Sequence, residues 1–133
     1  MTLATLHHLG LTVTDAEASA AWYENALGFR RDGSYESPDG ARRKVFLRHE
    51  RIGVRLGLCQ HAAGAGQRFD ETRPGLDHLS FLVETTEELQ AWRSRLTSAG
   101  VACSPIAQAN TIPGARVLVF RDPDNIQLEL IAL

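Results

Sequence analysis

Apolar and polar residues alternate along four stretches of this chain: HLGLTV at 8–13, VRLGL at 54–58, HLSFLV at 78–83 and IQLEL at 126–130. A period of two marks β-strands with one buried face. The first and third runs each lead into a capping signal and an amphipathic, helix-like stretch that ends near a glycine. Thr14 or Asp15 is expected to cap a first helix that turns Ala18, Ala21, Trp22 and Leu27 towards a core and stops at Gly28. Thr85 or Thr86 is expected to cap a second helix that carries Leu89, Trp92 and Leu96 and stops at Gly100.

The two strand-helix units are copies. Laying HLGLTVTDAEASAAW over HLSFLVETTEELQAW at an offset of 70 residues gives six identities, among them His8 with His78, Val13 with Val83 and Trp22 with Trp92. Typical composition would give about one such match by chance. Short strand-like runs split by turn residues follow each helix. They are FRRDGSYES, SPDGARRKVFLRHE and RIGVRLGLCQ in the first half, and VACSPIAQ, ARVLVFRD and NIQLELIAL in the second. Each half therefore reads β-α-β-β-β, an α+β class. The expected organisation is one domain over 1–133, with a module at 1–60, a turn-rich linker or flap at 61–75 and a second module at 76–133.

Sorting each strand into its two sides separates structure from chemistry. One side is apolar throughout: Leu9, Leu11 and Val13; Leu79, Phe81 and Val83; Val54, Leu56 and Leu58; Ile126, Leu128 and Leu130. The other carries His8, Gly10 and Thr12; His78, Ser80 and Leu82; Arg55, Gly57 and Cys59; and Gln127, Glu129 and Ile131. Two histidines at equivalent repeat positions and a carboxylate on an otherwise apolar strand suit a divalent ion, with coordination positions left for water or substrate. At an offset of 72 residues Gly57 stands where the second half has Glu129, so its module supplies no matching side chain. We therefore expect His8, His78 and Glu129 to bind metal, and Arg55, Gly57 and Gln127 to line the substrate side. The facing of Arg48, His49, Arg116 and Arg121 is left open by the pattern.

Composition narrows the function by exclusion. Fourteen Lys plus Arg against 16 Asp plus Glu leave a net charge of −2, so there is no cationic excess for a nucleic-acid backbone. No apolar run approaches the roughly 20 residues of a membrane helix, and the start of the chain lacks a signal-peptide pattern. A cytoplasmic location is expected. Two cysteines, Cys59 and Cys103, form neither a disulfide framework nor a CxxC pair.

At HHLGLTVTDAEASAAWYENALGF, GLDHLSFLV and FRDPDNIQLELI the sequence resembles the vicinal oxygen chelate superfamily, which includes glyoxalase I, extradiol dioxygenases, fosfomycin-resistance enzymes, methylmalonyl-CoA epimerase and bleomycin-resistance proteins. The resemblance covers essentially the whole chain. It implies a cupped, open mixed β half-barrel with helices on its outer face, one divalent ion (Fe, Mn, Ni, Zn or Mg) held by His8, His78 and Glu129, and a homodimer. Two departures stand out: Gly57 occupies the place where the glyoxalase I and epimerase branches carry a fourth ligand, and DPDN replaces the commoner DPDG turn. The implied activity is that of a metal-dependent lyase, isomerase or dioxygenase whose ion chelates vicinal oxygens of a small-molecule substrate and stabilises an oxyanion. The other reading, from the bleomycin-resistance branch, is sequestration of a drug or metabolite without turnover.

Overall fold

The computed structural model describes residues 2–64 and 66–133, so positions 1 and 65, the latter in the expected linker, lie outside it. Elements follow in the order β1 (His8–Thr12), α1 (Ala16–Leu27), β2 (Arg30–Glu36), β3 (Arg42–His49), β4 (Ile52–His61), β5 (His78–Val83), α2 (Thr86–Ser98), β6 (Ala107–Gln108), β7 (Arg116–Arg121) and β8 (Gln127–Ala132). They fall into two compact units, Met1–Arg68 and Phe69–Leu133. Each unit is β-α-β-β-β with its own four-stranded mixed sheet, ordered β1-β4-β3-β2 in the first and β5-β8-β7-β6 in the second. The first and last strands of each unit pair in parallel, because the helix returns the chain to the sheet in the same direction. This is the α+β architecture expected from the repeat.

The alternation of each strand decides which sheet face the helix covers. In the first unit Leu11, Leu56 and Leu58 are buried beneath α1, and in the second Leu128, Leu130, Leu118 and Phe120 are buried beneath α2. Asp15 caps α1, its Oδ1 accepting from the backbone N–H groups of Glu17 and Ala18 at 3.0 Å each. Thr85 caps α2, accepting from Glu88 N at 3.2 Å. Gly28 closes α1 in the left-handed region at φ 79°, a conformation glycine adopts without steric cost. Asp15→Ala should lower the unfolding free energy by about 1 kcal/mol in urea titrations, since two first-turn N–H groups lose their acceptor.

The buried face of α1 differs from the expected one. Ala16, Ala20, Tyr23 and Leu27 face the sheet, whereas Ala18 and Ala21 are exposed and Trp22 is half-buried. Tyr23 is fully buried, with its ring edge-on to Phe29 at 5.9 Å. The stripe starts at Ala16, directly after the Asp15 cap, and steps by four, three and four. The repeated tryptophans are thus flank residues. Leu89 and Leu96 of α2 are buried as expected, while Trp92 is half-buried with the Arg95 guanidinium 5.0 Å above its ring.

The VACSPIAQ run yields only two residues of β6 and an isolated bridge from Cys103 to Phe120. Pro105 lacks an N–H and interrupts the ladder. Among the described residues, the segment between modules contains a 3-10 turn at Ala62–Gly64, after which Phe69 to Arg73 is bonded into the second unit. Both cysteines are free thiols. Among the described residues, no helix is long and apolar enough to cross a membrane.

Candidate metal centre

Cross-strand pairing places the polar side chains in rows. In the second unit His78, Gln127 and Arg121 stand opposite one another across β5, β8 and β7, and Ser80, Glu129 and Val119 form the next row. Leu82, Ile131 and Val117 make the third. His78 and Glu129 are therefore diagonal neighbours on one sheet face, as the alternation requires. In the first unit His8 stands opposite Arg55, and Gly10 opposite Gly57, which in turn faces Phe46. Gly57 thus holds the position in its unit that Glu129 holds in the other, and the 72-residue register is the one the backbone uses.

Local contacts orient the expected ligands. Ser80 Oγ donates to Glu129 Oε1 at 2.7 Å, which fixes one oxygen of that carboxylate. His78 donates from Nδ1 to the carboxylate of Asp77. A ring whose Nδ1 carries the proton presents Nε2 as a lone pair, the arrangement that an adjacent carboxylate creates in metal-binding histidines. His8 meets His7 through Nδ1 at 2.9 Å, so its Nε2 also lies away from that contact. Two imidazoles and a half-buried carboxylate are a donor set that suits a first-row divalent ion. Among the described residues, no group of three or more His, Cys, Asp or Glu is gathered closely enough to hold an ion.

The expected substrate-side residues have internal partners. Arg55 Nη2 bonds the Asp32 carboxylate at 2.7 Å and the Asp32 carbonyl at 3.1 Å, and its guanidinium lies 5.5 Å from the Phe46 ring centroid. Gln127 Oε1 accepts from Arg121 Nη2 at 2.9 Å. Gly57 is buried, and a Cβ there would meet Phe46 Cε1 at 3.4 Å, an ordinary contact. The side chains whose facing was open now divide. Arg121 lies in the row of His78, whereas His49 is half-buried against Phe29, 5.3 Å between ring centroids.

Sequence reasoning missed four contributors: Asp77, Glu71, Asp122 and Asn125. The turn that launches β8 is built on Asp122, which is buried and accepts through Oδ1 from Asp124 N at 2.9 Å and Ile126 N at 2.8 Å. Asn125 takes the left-handed conformation at φ 71°, where a glycine would be usual, and its Nδ2 donates to the Phe69 carbonyl at 3.1 Å. The DPDN motif was the available signal, since an Asp followed at short range by backbone N–H groups forms such turns.

Several known proteins share this organisation. A structure of a glyoxylase/bleomycin resistance protein/dioxygenase domain from Frankia sp. EAN1pec superposes with a TM-score of 0.86 over 98% of each chain, at 35% identity. The ethylmalonyl-CoA/methylmalonyl-CoA epimerase of Cereibacter sphaeroides is 31% identical over 103 residues, 74% of this chain and 72% of the epimerase. The fosfomycin resistance protein FosX of Listeria monocytogenes, in a complex with Mn(II) and sulfate ion, is 20% identical and has the same fold, with a TM-score of 0.74 over 99% of this chain and 94% of that one. Residues 5–130 match the sequence profile of one family, and the chain belongs to it: the Glyoxalase/Bleomycin resistance protein/Dioxygenase superfamily.

Proposed function

We propose that this protein is a metal-dependent enzyme acting on a small molecule that presents two adjacent oxygens, with His8, His78 and Glu129 as the protein ligands of one divalent ion. The observation that carries the reading is the repeated register. His8 and His78 open equivalent parallel strands, and Glu129 stands on the strand beside His78, with Gly57 at its counterpart. The similarity to an epimerase and the fold shared with an Mn(II)-bound protein support it. The chemistry an ion supplies at such a site is Lewis-acid polarisation of the two oxygens, which stabilises negative charge developing on them.

The chain's own residues do the rest. Asp77 holds the His78 proton at Nδ1, Ser80 orients the Glu129 carboxylate, and Gly57 offers no side chain at the position in its own unit equivalent to Glu129. The activity we propose is that of an isomerase, a lyase or a dioxygenase. We place the enzyme in the cytoplasm as a homodimer. Metal analysis of protein purified without a histidine tag tests the reading: near-stoichiometric divalent metal is expected. Failure to bind Fe, Mn, Ni, Zn and Mg when challenged with each would overturn it in favour of small-molecule sequestration.

Gly57→Glu tests the open position. The residue lies outside the left-handed region and an added Cβ would lie against the Phe46 ring at 3.4 Å without a backbone clash. A carboxylate at this buried position is costly when unpaired, and an ion beside it removes that cost. The variant should hold metal as tightly as the wild type or more so, melt higher with metal than without, and lose turnover about tenfold or more as the new ligand competes with substrate. Unchanged turnover and unchanged metal affinity together would show that Gly57 does not face the ion.

A further inference from the structure

Arg121 ends the row that begins with His78 and Gln127, so its backbone stands about two strand spacings, roughly 10 Å, from that of His78. Its guanidinium already holds a carboxylate. Nη1 donates to Glu71 Oε2 at 2.9 Å and Nη2 to Glu71 Oε1 at 2.6 Å, two parallel bonds to one planar group. Nη1 also reaches the Asn125 carbonyl at 3.0 Å and Nη2 reaches Gln127 Oε1 at 2.9 Å, so the fork is aimed by the turn and by β8. Glu71 arrives from the segment joining the modules. That segment is independently fastened by Phe69 N to the Asp124 carbonyl at 3.1 Å and by Asn125 Nδ2 to the Phe69 carbonyl at 3.1 Å.

We propose that Arg121 is the carboxylate-recognising residue of this site and that Glu71 is its resident occupant, displaced when a small-molecule acid binds. The proposal rests on the functional reading above in taking this sheet face as the substrate side, and it names the substrate class as carboxylic acids. An end-on, two-bond grip through Nη1 and Nη2 is a geometry by which arginine selects a carboxylate over a neutral amide. The pair is accessible: the Arg121 side chain retains 35% of its exposure and that of Glu71 29%. Because the pair is open to solvent, a ligand carboxylate that makes the same two bonds replaces Glu71 at little net cost. Arg121 holds the Glu71 carboxyl down to about 2, so protonation does not open the pair near neutrality. A competing anion does. Because backbone contacts at Phe69 fasten the segment independently, the Glu71 carboxylate is free to leave while Phe69 stays close to the turn.

The test uses metal-free protein and 4-fluorobenzoate, followed by fluorine NMR, so a failure of the metal reading leaves its result intact. Glu71→Gln should bind the probe about tenfold more tightly than the wild type, because the internal competitor is gone. Adding Arg121→Lys, which keeps the charge but loses the fork, should reverse that gain, and 4-fluorobenzamide should bind neither form. In the wild type, amide hydrogen exchange of the segment spanning residues 70–73 should accelerate as the probe is raised. A folded Glu71→Gln that binds the probe no more tightly than the wild type would overturn the proposal. So would wild-type exchange that stays unchanged up to the probe's solubility limit, a measurement that decides the matter even if the variant does not fold.

Discussion

Glu129→Ala should lower divalent-metal affinity by more than about a hundredfold while the protein remains folded. Removing outer-shell partners of metal ligands typically costs 10- to 100-fold, and a ligand itself costs more. Stability changes little by comparison. The substitution removes one hydrogen bond, from Ser80 Oγ, worth about 1 kcal/mol, and leaves the buried face of β8 at Leu128 and Leu130 intact. His8→Ala and His78→Ala should behave alike, since both rings are exposed and contribute nothing to either core. Metal content by mass spectrometry and folding by circular dichroism read the two effects separately. Full metal content in any two of the three variants would refute the triad.

Asp122→Ala should be the most destabilising single polar substitution, with a loss of about 3 kcal/mol in urea or guanidinium unfolding. Its carboxylate is buried and satisfies the N–H groups of Asp124 and Ile126 at once. Truncation strands two backbone donors, each worth about 1–3 kcal/mol when left without a partner. Asp122→Asn keeps one acceptor oxygen and should lose less than half as much. The alanine variant should also bind metal more weakly, because this turn sets where β8 begins and so where Glu129 is held. A loss below about 1 kcal/mol would mean that the backbone bonds between Asp122 and Ile126 hold the turn unaided.

Local chemistry explains why so much of this protein was legible before its structure. Strand alternation is a property of the chain itself, so the sorting of His8, His78 and Glu129 away from Leu11, Leu128 and Leu130 carried over directly into buried and exposed faces. The repeat set the β-α-β-β-β order, and an offset in sequence became an offset in strand pairing. Asp15 and Thr85 cap their helices because capping depends on residues two or three positions away.

The choice of Tyr23 over Trp22 as the buried aromatic had a different origin: neighbouring helix positions point 100° apart, and only the sheet beneath determines which stripe is covered. The pairing of Arg55 with Asp32, 23 residues apart, and of Arg121 with Glu71, 50 residues apart, belongs to the same class. No local pattern distinguishes a solvated arginine from one gripping a distant carboxylate. Sequence by itself determined the modules, their polar and apolar faces and the candidate ligands, because those follow from short-range periodicity and repetition. Tertiary structure alone decided which charges are already partnered, since ion pairs join residues that only the completed sheets and their connecting segments bring together.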